Sequence, residues 1–234
     1  MDVRTEWVEL SVADGTTMLA WVARPDGQTP KRGLLVFQEA FGVNAHIRDV
    51  AERFAGAGYL AIAPELFHRT APGFEGSYTD FPGAVAHLQR ITEQGLDADV
   101  RASYGWLENA GVGSNCAAIG YCLGGRVAFV ANSGVPLKAA VSYYGGNIPP
   151  LIGRAPRLSG PMMFFWGGLD HHITEEQRNA VISGVTHAGK PFVNVLISYA
   201  DHGFFCDARA SYHRDAAGQS WALTHAFLDT YCPR

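Results

Sequence analysis

The run Ala117-Ala118-Ile119-Gly120-Tyr121-Cys122-Leu123-Gly124-Gly125-Arg126-Val127-Ala128 sets one cysteine among glycines, with apolar residues before it and helix-compatible residues after it. A strand that bends abruptly into a helix lifts the side chain at the bend clear of the sheet, and the crossing backbones leave no room for a Cβ on either side. Gly120 and Gly124 meet that demand. The helix that follows points its N-terminus at the sulfur, which favours negative charge there, and the freed amide of Leu123 can donate to a developing oxyanion. The chemistry implied is nucleophilic attack by Cys122. A small buried cysteine beside close-packing glycines is the plainer reading, but it does not explain the strand and helix in the right order around it.

A sulfur nucleophile needs a base, and the base needs an orienting acid. With the order nucleophile, acid, histidine, each on a loop after a successive strand, an acid is expected after Pro161–Trp166 and a histidine after Val193–Ser198. Asp170 follows Gly167-Gly168-Leu169, and His202 follows Tyr199-Ala200-Asp201. His202 is expected to take the Cys122 proton and later protonate the leaving group, while Asp170 fixes the tautomer and stabilises the imidazolium. Taken singly, Asp170 could cap the next helix and His202 could be an ordinary loop residue. Asp201 stands next to the histidine, where a side chain rarely reaches the ring. His171 and His172, with His202 or Asp207, lack any HExxH or paired CxxC spacing, so no metal is expected. His46, His68, His87, His187, His213 and His225 are read as satisfied or solvated.

After the apolar run Gly33–Phe37 comes Gln38-Glu39-Ala40-Phe41-Gly42-Val43-Asn44, the loop that supplies the second oxyanion donor in this order of elements. That donor is the amide of Ala40. A carboxylate there is costly without a task. Glu39 is expected to accept the thiol proton and hold Cys122 neutral until substrate arrives; a glutamate merely bonding its own loop is the alternative.

The elements that must position these groups follow from hydrophobic periodicity. Strands are predicted at Trp7–Val12, Leu19–Ala23, Gly33–Phe37, Tyr59–Ala63, Cys116–Gly120, Ala139–Tyr143, Pro161–Trp166 and Val193–Ser198, the first two joined as a hairpin through Asp14-Gly15. Helices are predicted at Ile47–Ala57, Gly83–Gln94, Asp97–Asn109, Gly124–Ser133, Thr174–Ala188 and Asp207–Thr230, the last interrupted near Gly218. Thr174 with Gln177 has the spacing of a capping box. The alternation describes a mostly parallel eight-stranded sheet with helices on both faces, and the glycine-flanked bend with the ordered acid and histidine makes the expected arrangement an α/β-hydrolase fold, one domain over residues 1–234. The Gly- and Pro-rich loops His68–Pro82 and Gly145–Gly160 would overhang the carboxyl edge of the sheet, where ligands bind.

A 47% hydrophobic content fills a substantial core, and a net charge of −4 with mixed signs provides no basic stripe for nucleic acid. No apolar run approaches the ~20 residues of a membrane span. Charge in Met1-Asp2-Val3-Arg4-Thr5-Glu6-Trp7 replaces the apolar stretch of a secretory signal, so a cytoplasmic location is expected. Cys116, Cys122, Cys206 and Cys232 form no CxxC pair and are read as thiols.

Gln38-Glu39-x-Phe41-Gly42-Val43-Asn44, Gly120-Tyr121-Cys122-Leu123-Gly124-Gly125, Gly167-Gly168-x-Asp170-His171 and His202-Gly203-Phe204 together resemble the successive motifs of the dienelactone hydrolase family and span most of the chain. The resemblance implies a Cys122–His202–Asp170 triad, Glu39 holding the resting thiol, no metal and no organic cofactor, and a small-molecule ester or lactone as partner. It leaves open whether the chain is a monomer or a homodimer. Family members that hydrolyse dienelactone hold its carboxylate with arginines. One stands four residues after the histidine, where this chain has Cys206; for the other, the loop after the fourth strand offers only Arg69. Losing a fork-shaped donor removes about 1.5–3 kcal/mol per charged hydrogen bond, so an uncharged or apolar substrate is expected. Phe41, Phe74, Tyr78, Phe81, Tyr144, Phe204 and Phe205 are candidates for its pocket, and Trp166 for the core. Thioesters or phosphotriesters are conceivable side substrates. A non-catalytic ligand-binding or redox-sensing scaffold, or a cysteine peptidase, are the competing functions, and the intact triad and short loops argue against them.

Overall fold

The computed structural model describes residues 2–234. Eight strands form one sheet: β1 (Val3–Ser11), β2 (Thr17–Pro25), β3 (Arg32–Phe37), β4 (Tyr59–Pro64), β5 (Cys116–Tyr121), β6 (Ala139–Tyr143), β7 (Met162–Gly167) and β8 (Phe192–Ile197). Their spatial order is β1-β2-β4-β3-β5-β6-β7-β8. β1 and β2 pair antiparallel from Val3↔Pro25 to Ser11↔Thr17, and β2 is antiparallel to β4; every other pairing is parallel. Strands β3 to β7 are buried at every position, because parallel strands with helices on both faces leave no side for water. Their sequences are accordingly near-continuous apolar runs. All eight strands occupy the expected segments, with ends displaced by a few residues.

Six helices flank the sheet: α1 (Ala45–Gly56), α2 (Phe81–Leu88), α3 (Glu93–Asn109), α4 (Leu123–Gly134), α5 (Glu175–His187) and α6 (Arg214–Tyr231). α1 meets α6 through Phe54, Trp221 and His225, while α4 packs behind the central strands against α3. The capping box at Thr174 and Gln177 is present. Two helix boundaries differ from expectation. The segment 83–94 does not run through: α2 stops at Leu88, and α3 begins at Glu93 because Thr92 caps it, accepting from the amide of Gly95 at 3.0 Å. The last helix starts at Arg214 rather than Asp207, capped by His213, and continues unbroken through Gly218. Residues 206–213 instead form hydrogen-bonded turns, Cys206 N to Gly203 O at 3.0 Å and Arg209 N to Cys206 O at 3.1 Å. Among the described residues no helix is long and apolar enough to cross a membrane. All four cysteines are free.

Candidate active site

Cys122 sits at the bend between β5 and α4 with φ 53° and ψ −112°, a left-handed conformation that costs a non-glycine residue about 1–3 kcal/mol. Its own backbone is pinned: Cys122 N donates to Tyr143 O at 3.0 Å, and Gly125 N donates to Cys122 O at 3.0 Å. A Cβ at Gly120 would overlap the carbonyl of Gly124, and one at Gly124 would overlap the carbonyl of Phe37. The glycines therefore permit the bend by letting three backbones cross, and the sulfur is left half-buried at the sheet's carboxyl edge.

The acid and the histidine reach this edge on neighbouring loops. Gly167 and Gly168 pack directly on the backbone at Ser198–Asp201, so a side chain at either would separate the loops. Closure brings His202 Nδ1 to 2.8 Å from Asp170 Oδ2, to which it donates. Asp170 Oδ1 accepts from the amides of His172 at 2.7 Å and Ile173 at 3.2 Å. Burial pushes the Asp170 carboxyl up, but the His202 bond and these two amides outweigh it and hold it below the ordinary carboxylate range. Burial likewise pushes the imidazole of His202 down. The Cys122 sulfur and the Asp170 carboxylate more than offset that, and its pKa stands at about 10. Asp201 accepts from the backbone amide of His202 at 2.6 Å and so orients the loop rather than the ring.

Above the sulfur lies a cavity of about 490 Å³ whose walls include Phe41, Tyr78, Phe81, Leu123 and His202. Leu123 opens α4, and Ala40 is fully buried in the turn after β3. Four other expected aromatic wall residues sit elsewhere. Phe74 packs below its loop against Phe67 and His87, with ring centroids at 5.8 and 4.6 Å. Tyr144 and Phe204 are fully buried 5.3 Å apart, and Tyr144 backs the His202 ring at 5.1 Å. These two form a supporting layer. Phe205 is also core, stacked on Tyr121, and Trp166 is core as expected. Arg69 does not line the cavity: Asp14 and Asp99 take its donors at 2.7 to 2.9 Å, since charge-assisted bonds hold a guanidinium more firmly than an open site does.

The cavity holds residues that the sequence reading left out: Arg126, Arg209, His172, Asn147, Leu88 and Ile173. Arg126 stands in the glycine motif itself. Its Nε is buried without a hydrogen-bond partner, no acid pairs with it among the described residues, and burial lowers its pKa. Arg209 donates to Glu39 Oε1 at 3.0 Å. Glu39 is fully buried and is engaged by this guanidinium rather than by the thiol of Cys122, contrary to the expected thiol contact. The physical reason is the cost of an uncompensated buried charge, which the ion pair offsets.

A mostly parallel sheet of this order, with a cysteine at the bend after β5 and a histidine–aspartate pair on the loops after β8 and β7, defines an α/β-hydrolase. The chain belongs to the dienelactone hydrolase family, whose model matches residues 18–232. A Synechocystis sp. protein named "Putative carboxymethylenebutenolidase" is 35% identical over 218 residues, covering 87% of each chain. The crystal structure titled "Putative Dienelactone Hydrolase" from Klebsiella pneumoniae superposes with a TM-score of 0.89 at 29% identity, over 99% of this chain and 100% of that one. A dienelactone hydrolase-like promiscuous phosphotriesterase from metagenomic libraries shares the fold, with a TM-score of 0.88 at 23% identity over 99% of each chain.

Proposed function

We propose that this dienelactone hydrolase-like protein cleaves a carboxylic ester or lactone through a Cys122–His202–Asp170 triad. The sulfur attacks the carbonyl carbon, and the oxyanion is held by the amides of Leu123 and Ala40. The imidazolium of His202 protonates the departing alkoxide, leaving a thioester on Cys122. His202 then takes a proton from water, the hydroxide attacks the thioester, and the acid product leaves with the sulfur restored. The observation that carries this reading is the 2.8 Å bond from His202 Nδ1 to Asp170, with the Cys122 sulfur facing the same cavity from a strained bend.

The cavity argues for a different substrate charge from the one expected. Arg209 is balanced by Glu39, but Arg126 has no acidic partner among the described residues, and an unpaired guanidinium at the wall of a pocket that also holds Phe41, Tyr78 and Phe81 favours an anionic group on the substrate. Chromogenic esters that differ only in a free carboxylate test both parts. Cys122→Ala should abolish turnover of each, and retention of wild-type turnover by that variant refutes the mechanism. Arg126→Leu should raise KM for the carboxylated ester alone, by roughly tenfold for one charged hydrogen bond. An equal effect on the neutral ester refutes the charge assignment.

A further inference from the structure

Behind the cavity the fold buries a polar cluster that the proposed reaction does not use. Only one oxygen of Glu39 is bonded, to Arg209; Oε2 is buried without a partner. His46, in the first turn of α1, is buried too, and its Nε2 is also without a partner. One ligand atom each from Glu39, His46 and Cys206 lies within 4.8 Å of the other two. On its far side, His46 Nδ1 is 4.0 Å from Asp207 Oδ1, at the wall of a second, outer cavity of about 250 Å³. Two buried groups of one cluster, each with an atom lacking a partner, are rare in a folded protein and call for one.

The protonation of the cluster narrows what that partner is. Burial holds the His46 imidazole below its ordinary pKa. Glu39, Asp207 and Asp49 oppose burial and Arg53 assists it, and the ring stays neutral with a single N–H. Its ring also packs in T-shaped contacts with Tyr121 and Phe205, at centroid separations of 5.9 and 6.1 Å. The Cys206 thiol is pushed up to about 11, by burial first and Glu39 second, and stays protonated beside Tyr78. A divalent cation fits this set poorly, because it would have to ionise that thiol and share Glu39 with a guanidinium 3.0 Å away. A single hydrogen bond from Nε2–H to Oε2, direct or through one buried water, satisfies both atoms.

We propose that His46 is a positioning residue of the substrate site: directly or through one buried water it donates to Glu39 Oε2, keeps that carboxylate oriented, and through it holds the Arg209 guanidinium at the cavity wall. There Arg209 stands 5.8 Å from the rings of both Phe41 and Tyr78. His46 touches no reacting atom, so it acts on substrate affinity and not on the chemical step. This rests on the reading of the cavity as a hydrolase's substrate pocket.

The test is steady-state kinetics on the carboxylated chromogenic ester. His46→Phe keeps the ring packing and removes the donor; KM should rise roughly tenfold while kcat stays within about threefold. His46→Gln restores an N–H near the position of Nε2 and should recover most of the affinity. In a Glu39→Gln background, where the carboxylate to be oriented is gone, His46→Phe should change KM by less than about twofold. If the phenyl variant does not fold, His46→Asn, too short to reach Oε2, replaces it. Wild-type KM in His46→Phe, equal losses for Phe and Gln, or an undiminished loss in the Glu39→Gln background each overturn the proposal. Turnover by Cys122→Ala would instead overturn the reading of the pocket.

Discussion

Replacing Asp170 by asparagine isolates the part of the site that acts only through the histidine. Oδ1 of Asp170 accepts two backbone amides, from His172 at 2.7 Å and Ile173 at 3.2 Å, while Oδ2 accepts from His202 Nδ1 at 2.8 Å. An asparagine keeps one acceptor oxygen, and the two fixed amides claim it. Its NH2 group then falls opposite Nδ1 and drives the ring proton to Nε2, the nitrogen that must accept from Cys122. The charge that stabilises the imidazolium is lost as well, worth about 1.5–3 kcal/mol as a charged hydrogen bond. With a similar amount for the inverted tautomer, the barrier rises by roughly 3–6 kcal/mol, or about 10²- to 10⁴-fold in rate. Stopped-flow release of the chromophore separates acylation from steady-state turnover, and both should fall. Turnover within tenfold of wild type in a variant with unchanged near-UV dichroism would refute the assignment of Asp170. The same variant has a stability signature. The folded pKa of Asp170 lies below its unfolded value, so its stabilisation is full above about pH 4 and is lost as pH falls through the folded value. Asparagine removes that acid-side loss.

Further tests address the sulfur and the bend. His202 has a folded pKa of about 10, above its unfolded value, so its contribution to stability is full below about pH 6.5 and drains as pH rises towards 10. Because the sulfur is the leading cause of that rise, Cys122→Ala should move the imidazole resonance titration in NMR down towards 6.5 and flatten the alkaline loss of stability; an unmoved titration contradicts the sulfur–imidazole contact. Gly120→Ala forces a Cβ into the Gly124 carbonyl and should cost about 3 kcal/mol or more in chemical denaturation, with loss of activity. Gly218→Ala, in open space along α6, should raise stability by roughly 0.5–1 kcal/mol with kinetics unchanged.

The strands and the bend at Cys122 were legible because their signals are local. A strand buried on both faces has to be a short apolar run, and a crossing of backbones has to be glycine, so β3 to β7 and Gly120–Gly124 can be read without knowing what they touch. The pairing of Asp170 with His202 was also accessible, since strand order alone puts their loops side by side. What failed depended on partners distant in sequence. Arg69 lies in a loop fit for a substrate arginine, but Asp14 and Asp99, 55 and 30 residues away, occupy its donors. Tyr144 follows a strand towards the cavity, yet a φ of 38° turns it under His202.

The charged groups around the cavity show the same division. Cys206 stands where the resemblance calls for a guanidinium, and by position alone the site has lost its anion-binding group. The stretch from Asp207 is helix-compatible, so Arg209 reads as one more exposed helical charge. Only the turns at 206–213, set by His213 capping α6 from Arg214, carry Arg209 back over the cavity to Glu39. The partner of the buried carboxylate thus enters one hydrogen-bonded turn after Cys206. A buried Glu39 calls for a cation whichever residue supplies it, so the presence of Arg209 beside the cavity is better inferred from the carboxylate that must be paired than from the position at which an arginine is usually found.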